Sequence, residues 1–210
     1  MGGRAQPRAL AKERTSGVGG ILFAHGAGAG PDSDWMRAWA RRLGTVAPVQ
    51  TLAYPYMRAG RKAPDRLPKL VEAHREALRE ARSAFGDGVV LAGKSMGSRV
   101  GCHLALEESV RALVCFGFPL KAPGGALRDE VLLALRTPIL FVQGTRDPLA
   151  PVDDFERVYR RMRAPRAVHW VDGGNHSLEV GVRQLRAEGR DQGAVDGEIL
   201  GAIRGFLSDL

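Results

Sequence analysis

The sequence predicts an α/β fold with three layers, in which helices cover both faces of a mostly parallel sheet of about six strands. Six short apolar runs lack polar alternation, as do strands that are buried on both faces of a parallel sheet. Segments with helical period separate these runs, so strand and helix alternate along the chain. The predicted strands are 20–24, 46–53, 89–92, 112–116, 138–142 and 167–171.

Helices are predicted where apolar residues recur every three or four positions. Trp35, Trp39 and Leu43 follow this spacing behind a capping residue, Asp32 or Ser33. In the longest helix, Pro68 occupies the first turn, where proline is tolerated. The predicted helices are 33–43, 67–85, 96–107, 152–162 and 195–207.

The length of 210 residues fits one domain that buries its own core. Residues 1–18 combine glycine, proline and scattered charges without periodicity, which predicts a flexible N-terminal arm before a domain at 19–210. Only two cysteines are present, so a disulfide framework is not indicated. Since no cysteine and histidine set has metal-ligand spacing, neither a metal nor another cofactor is expected.

The net charge of +8 raises the question of an anionic partner. The arginines are spread along the chain, and basic and aromatic residues do not alternate, so nucleic acid is not expected as a partner. No apolar run is long enough to cross a bilayer, and the N-terminal residues do not form a signal segment. These features predict a cytoplasmic protein without a membrane partner. The sequence leaves a monomer and a homodimer equally open.

The segment from Gly93 to Gly97 has the pattern Gly-x-Ser-x-Gly and carries the predicted nucleophile, Ser95. With 27 glycines in the chain, the pattern alone is weak. It follows a predicted strand and precedes a predicted helix, which is the context of a serine exposed on a tight strand-to-helix turn. We therefore predict that Ser95 is catalytic.

A serine hydroxyl needs a base, and the base needs an orienting acid. Asp147 follows the fifth predicted strand beside Pro148, and His176 lies in a glycine-rich loop beyond the sixth. The carboxyl ends of parallel strands meet at one edge of the sheet, so these side chains are expected beside Ser95. Asp153 and Asp172 are alternative acids, and His169 is an alternative base within a strand.

An oxyanion formed at Ser95 would need backbone N–H donors. Met96, at the start of the following helix, is the first expected donor. Ala27, or else Gly28, in the glycine-rich loop 25–30 is the second, and His25 is predicted to shape that loop. Residues near the strand ends are expected to bind substrate: Tyr54, Tyr56, Met57, Phe118 and Leu149.

Three motifs resemble the α/β-hydrolase superfamily over residues 19–210: His-Gly-Ala-Gly at 25–28, Tyr-Pro-Tyr-Met at 54–57 and Gly-Lys-Ser-Met-Gly-Ser-Arg at 93–99. The chain is most similar to small lid-less members, including dienelactone-hydrolase-like proteins and the hydrolase-like domain of a subunit of the NSL histone-acetyltransferase complex. The resemblance implies a catalytic triad of Ser95, Asp147 and His176. Dienelactone hydrolases have cysteine where this chain has Ser95, and the usual first hairpin does not fit before residue 19.

Only about twenty residues connect the fourth and fifth predicted strands, too few for a cap domain. The sequence thus predicts an open site that hydrolyses small carboxylic esters or thioesters. Lys94 and Arg99 would favour an anionic substrate, with Arg58, Arg61 and Lys62 nearby, or are surface charges of an arginine-rich chain. The alternative functions are a non-catalytic interaction module and an acyltransferase or peptidase that uses the same triad.

Overall fold

The structure is a computed structural model that describes residues 17–210. The predicted flexible arm, 1–18, lies outside these residues except for Gly17 and Val18, and Val18 is buried against the core. No helix among the described residues is long and apolar enough to cross a membrane.

Six parallel strands form one sheet in the order β2-β1-β3-β4-β5-β6. The chain order reverses at β1, which pairs with both β2 and β3, and this arrangement leaves a crevice at the carboxyl ends of the central strands. The predicted three-layer α/β fold is therefore confirmed. The strands are β1 Gly20–Ala24, β2 Val49–Leu52, β3 Val89–Lys94, β4 Ala112–Phe116, β5 Ile139–Gly144 and β6 Arg166–Val171.

Helices cover both faces of the sheet. On the described part of the chain they are α1 Asp34–Leu43, α2 Pro55–Arg58, α3 Leu67–Phe85, α4 Met96–Leu104, α5 Glu130–Ala134, α6 Val152–Arg161, α7 Val182–Ala187 and α8 Gln192–Ser208. Helices α3 to α6 pack on the face that includes Leu22 and Leu91, and α1, α7 and α8 pack on the face that includes Ile21 and Val90. Neighbouring strand residues therefore point into opposite cores, which explains the apolar runs without polar alternation.

The two edge strands differ from the prediction. Of the predicted strand 46–53, only Val49–Leu52 form a strand, β2. The residues before it continue the turn that follows α1, because the N–H groups of Val46 and Ala47 donate to Leu43 O. Strand β6 is mostly half-buried and not covered on both faces. Edge strands have a neighbour on one side only, and their runs are less completely apolar for that reason.

A buried histidine on α3, His74, contacts the side chain of Tyr54. The His74 ring has no exposed surface, its Nδ1 lies 3.1 Å from the Tyr54 hydroxyl, and its Nε2 has no partner within residues 17–210. Burial lowers the pKa of His74 to about 3, from an ordinary value of 6.5. The unfolded chain therefore binds a proton between these pH values that the folded chain does not, and stability falls as the pH decreases through this window.

Because of His74, we expect the free energy of unfolding to decrease by about 2 kcal/mol when the pH is lowered from 6.5 to 5. Each pH unit in this window changes that free energy by up to about 1.4 kcal/mol for one proton. His74→Gln keeps a polar side chain that does not titrate. The free energy of unfolding, measured in urea for both proteins across this range, should decrease less in the variant. Parallel curves would contradict the assignment.

Candidate active site

Ser95 lies between β3 and α4 in a conformation that side chains rarely adopt, with φ 50° and ψ −112°. Such a turn holds the hydroxyl out from the end of the strand. The flanking glycines allow the turn to pack closely. A Cβ atom on Gly93 would lie 2.3 Å from the backbone nitrogen of Ser98, and one on Gly97 would lie 2.5 Å from Ala24 O. The glycines of the sequence motif thus permit α4 to approach the sheet.

Hydrogen bonds connect Ser95 to a histidine and a carboxylate. Ser95 Oγ lies 2.9 Å from His176 Nε2, and His176 Nδ1 lies 2.8 Å from Asp147 Oδ2. An ionised carboxylate only accepts hydrogen bonds, so Nδ1 carries the proton that is donated to Asp147. His176 Nε2 then accepts the hydrogen bond from the serine hydroxyl. This is the arrangement in which an imidazole can remove a proton from serine.

Asp147 is almost fully buried, and the structure satisfies its carboxylate from three directions. Besides His176, Gln143 Nε2 donates to Oδ2 at 2.7 Å and the N–H of Leu149 donates to Oδ1 at 2.9 Å. Gln143 is itself fixed because its Oε1 accepts the N–H of Phe118 at 2.9 Å. Gln143 was missed from the sequence. It lies inside β5, and its polar side chain in an otherwise apolar run was the only available signal.

The alternative acids and base lie elsewhere. Asp172 is exposed, and its carboxylate accepts from Thr145 Oγ1 at 3.3 Å and Gln184 Nε2 at 3.2 Å. Asp153 is in the first turn of α6. His169, on β6, lines a separate cavity together with Glu188 and Glu198. The structure therefore brings Asp147 and His176, and not these residues, to Ser95.

Lys94 supports the loop that carries His176. Its ammonium donates to the backbone oxygen of His176 and lies 5.5 Å from the centre of the Trp35 ring. Burial lowers the pKa of Lys94 to about 8, and the negative charge of Asp147 opposes this shift. Lys94 is therefore a buried structural cation and not the surface charge that the sequence also allowed.

The loop after β1 is held from beneath. The Tyr56 hydroxyl donates to Ala27 O at 3.0 Å, and the N–H of Tyr54 donates to His25 Nε2 at 3.2 Å. Burial lowers the pKa of His25, which keeps the ring neutral and able to accept this bond. The prediction that His25 shapes the loop is confirmed.

Ala27 and Met96 are the residues expected to donate N–H groups to an oxyanion. The backbone hydrogen bonds of turns and loops within residues 17–210 include none donated by either residue. Both residues line one cavity beside Ser95, whereas Gly28 lines only a second cavity, which Ser95 and Ala27 also line. Free N–H donors beside a nucleophile can stabilise negative charge on a substrate oxygen.

Three of the residues expected to bind substrate do not reach the cleft. The side chains of Tyr54, Tyr56 and Phe118 have no exposed surface, because aromatic rings at these strand ends pack into the core beneath the loops. Met57 is half-buried against the same core, and Leu149 does line the cleft. Contrary to the prediction, Tyr54, Tyr56 and Phe118 therefore support the cleft from within the core and do not form its surface.

The cleft has two arms that meet at Ser95 and Ala27. One, which we call the tryptophan arm, has a volume of about 250 Å³. The other, which we call the arginine arm, has a volume of about 410 Å³. The residues that line the tryptophan arm include Trp35, Lys94, His176 and Ser177, and those that line the arginine arm include Met96, Arg99, Lys121, Arg128 and Leu149.

Neither arm is covered by a cap domain within the described chain. The segment between β4 and β5 contributes α5 and a short bridge between Lys121 and Leu127. Among residues 17–210, no three His, Cys, Asp or Glu side chains are grouped so that they could hold a metal ion.

Solved structures with the same fold include hydrolases and esterases. An alpha-beta serine hydrolase homologue from Coxiella burnetii superimposes with a TM-score of 0.67 at 18% identity, covering 94% of this chain and 86% of that one. A metagenome-derived lipolytic enzyme gives 0.67 at 15% identity, with 92% and 96% covered. Ferulic acid-bound Est1E from Butyrivibrio proteoclasticus gives 0.63 at 17% identity, with 95% and 93% covered.

These identities are low, so the structures establish a shared fold. The family of the chain is established by its sequence, because the family model of the alpha/beta hydrolase domain matches residues 1–200. The chain therefore belongs to the α/β-hydrolase family.

Proposed function

We propose that this hydrolase cleaves carboxylic esters or thioesters through an acyl-enzyme on Ser95. The observation that carries the proposal is the continuous set of hydrogen bonds from Ser95 through His176 to the buried Asp147. Each residue follows a strand at the same edge of the sheet. The strained Ser95 turn supports the same role, since the family fold uses it to expose a nucleophile.

In the proposed reaction, Ser95 Oγ forms a bond to the substrate carbonyl carbon while His176 Nε2 takes the hydroxyl proton. The N–H groups of Ala27 and Met96 stabilise the resulting oxyanion. The bond to the leaving oxygen or sulfur then breaks, and His176 returns its proton to that atom. Water attacks the acyl-enzyme by the same steps in reverse, releasing the acid and restoring Ser95. Asp147 keeps the imidazole oriented and stabilises its positive charge.

The two arms of the cleft have different roles in this mechanism. The group that protonates the leaving atom must lie within hydrogen-bond reach of it. His176 lines the tryptophan arm and not the arginine arm. The leaving group is therefore assigned to the tryptophan arm, and the acyl group to the arginine arm, beside Met96 and Leu149.

The esterases among the similar structures support ester substrates. One has a structure described as the esterase domain of a Rhodothermus marinus protein, with a TM-score of 0.59 at 17% identity. The Est1E structure holds ferulic acid, a carboxylic acid. These similarities support acyl chemistry at Ser95 over an interaction module that has kept the fold alone.

The proposal is tested by the hydrolysis of short p-nitrophenyl esters and by a matched pair of variants. The wild-type chain should turn these esters over, and Asp147→Asn should lower kcat by about a hundredfold or more, because the imidazole loses its orienting anion. Asp172→Asn removes an exposed carboxylate near the same strand end and should leave kcat unchanged.

Wild-type protein that is folded but inactive on every ester and thioester would contradict the proposal and favour the interaction module. Equal losses in the two variants would contradict the assignment of the acid. Analysis of products with added amines or alcohols would separate hydrolysis from acyl transfer.

A further inference from the structure

The arginine arm contains two guanidinium groups without a carboxylate partner. Arg99, on α4, and Arg128, before α5, both line this cavity, and neither forms an ion pair within residues 17–210. The Arg128 guanidinium has one hydrogen bond within the described chain, a long one of 3.4 Å to Pro119 O. This arm is therefore lined by two cations that no carboxylate of the described chain neutralises.

Arg99 is also incompletely satisfied where it is buried. Its Nε is inaccessible to solvent and has no hydrogen-bond partner in the described chain. Burial, together with the positive charge of Arg128, lowers the pKa of Arg99. Removing a charged group from water without pairing it is costly, and a ligand anion beside the guanidinium would offset that cost.

The other charged residues of the arm have partners of opposite charge. Lys121 Nζ lies 2.7 Å from Asp154, and Asp65 Oδ1 is contacted by Arg61 at 2.8 Å and by Lys69 at 3.3 Å. Asp65 is the one carboxylate lining the arm, and its two cationic partners leave that rim positive. Arg99 and Arg128 are the cations lining the arm that have no carboxylate partner within residues 17–210.

The distance from the nucleophile favours a short ligand. Arg99 follows Ser95 by four residues, and its N–H donates to Ser95 O in the first turn of α4. One helical turn advances the backbone by about 5.4 Å. The apolar residues that line the same arm include Leu70, Pro119 and Leu149.

We propose that the arginine arm binds an acyl group with a terminal carboxylate, so that the substrates are half-esters or half-thioesters of short dicarboxylic acids. The carboxylate contacts Arg99 and Arg128, while the carbonyl lies at Ser95 and the methylene groups contact the apolar walls. This inference rests on the proposed acyl-enzyme at Ser95 and adds the class of acyl group. The reaction consumes water and releases the dicarboxylic acid and an alcohol or thiol.

The test compares two ethyl esters of equal length, monoethyl glutarate and the ethyl ester of glutaramic acid, which differ in a terminal carboxylate or amide. For the wild-type chain, kcat/KM should be about tenfold or more higher for the carboxylate, since a charged hydrogen-bonded pair gives this order of discrimination. Arg99→Gln and Arg128→Gln should each lower that ratio severalfold or more. Arg41→Gln, an exposed arginine on α1 outside both arms, should leave it unchanged.

Equal wild-type rates on the two esters, or a ratio that neither arginine variant lowers, would overturn the inference while leaving the serine hydrolase intact. Calorimetric titration with glutarate and with its neutral diamide, glutaramide, tests the same site without turnover. Wild-type protein should bind glutarate more tightly, and Arg128→Gln should reduce that preference even if Arg99→Gln fails to fold. If the wild-type protein hydrolyses neither ester but still binds glutarate preferentially, that result would contradict the proposed function and not the carboxylate site.

Discussion

Replacement of Ser95 by alanine is expected to lower kcat for a short p-nitrophenyl ester by about a thousandfold or more. The variant lacks the oxygen that would form the acyl-enzyme, and the remaining oxyanion donors can assist only direct attack by water. Steady-state kinetics at pH 7 to 8 would measure the loss. Ser83→Ala is the matched control, because Ser83 is exposed on α3 and its hydroxyl donates only to Arg79 O.

His176→Ala is expected to have an effect of similar size, because a serine without its base is a weak nucleophile. The two residues act as one unit, so Ser95→Ala combined with His176→Ala should be hardly slower than either variant alone. Losses that multiply in the double variant would mean that Ser95 and His176 act independently. Such a result would contradict the acyl-enzyme mechanism.

Gly97→Ala is expected to destabilise the fold strongly. Its Cβ atom would lie 2.5 Å from Ala24 O and 2.7 Å from His25 O, so α4 would have to move away from β1. Backbone atoms cannot rotate away as a side chain can, and we expect destabilisation of about 3 kcal/mol or more. Urea unfolding would measure it. A soluble variant with wild-type stability and kcat would show that this close contact does not matter.

Gly197→Ala provides the matched control. Gly197 is exposed in α8, and a Cβ atom there would meet no other atom within 4 Å. Alanine favours the helix over glycine by about 0.5–1 kcal/mol, so this variant should be slightly more stable than wild type. The opposite signs of the two glycine substitutions would separate close packing from helix propensity.

The central strands could be predicted because burial on both faces leaves an uninterrupted apolar run. Strand β4 and helix α3 have the predicted bounds, Ala112–Phe116 and Leu67–Phe85. The short helices α2, α5 and α7 were not predicted individually, since four to six residues are too few for a helical period to appear. The predicted strand 46–53 was too long because Val46 and Ala47, in the turn that follows α1, are apolar like the residues of a strand.

The site could be predicted only where function depends on the order of elements along the chain. The proximity of Ser95, Asp147 and His176 could be predicted because each follows a strand at one edge of the sheet. Gln143 could not be assigned, because its role depends on a rotamer within a strand. The aromatic residues Tyr54 and Tyr56 were placed in the cleft, although side-chain direction at a loop entrance is set by packing. The likeness to dienelactone-hydrolase-like and NSL-complex proteins stays a prediction.

The central claim, that Ser95 is an activated nucleophile, is tested most directly with a fluorophosphonate probe. Attack by Ser95 Oγ forms a bond to phosphorus and releases fluoride, so the folded chain should gain the mass of one probe less that of HF. Trypsin cleavage after Lys94 and Arg99 should place that mass on the peptide 95–99, at Ser95 and not at Ser98. Urea-unfolded protein and Ser95→Ala should remain unlabelled. Folded wild-type protein that stays unlabelled, or Ser95→Ala that is labelled equally, would contradict the account.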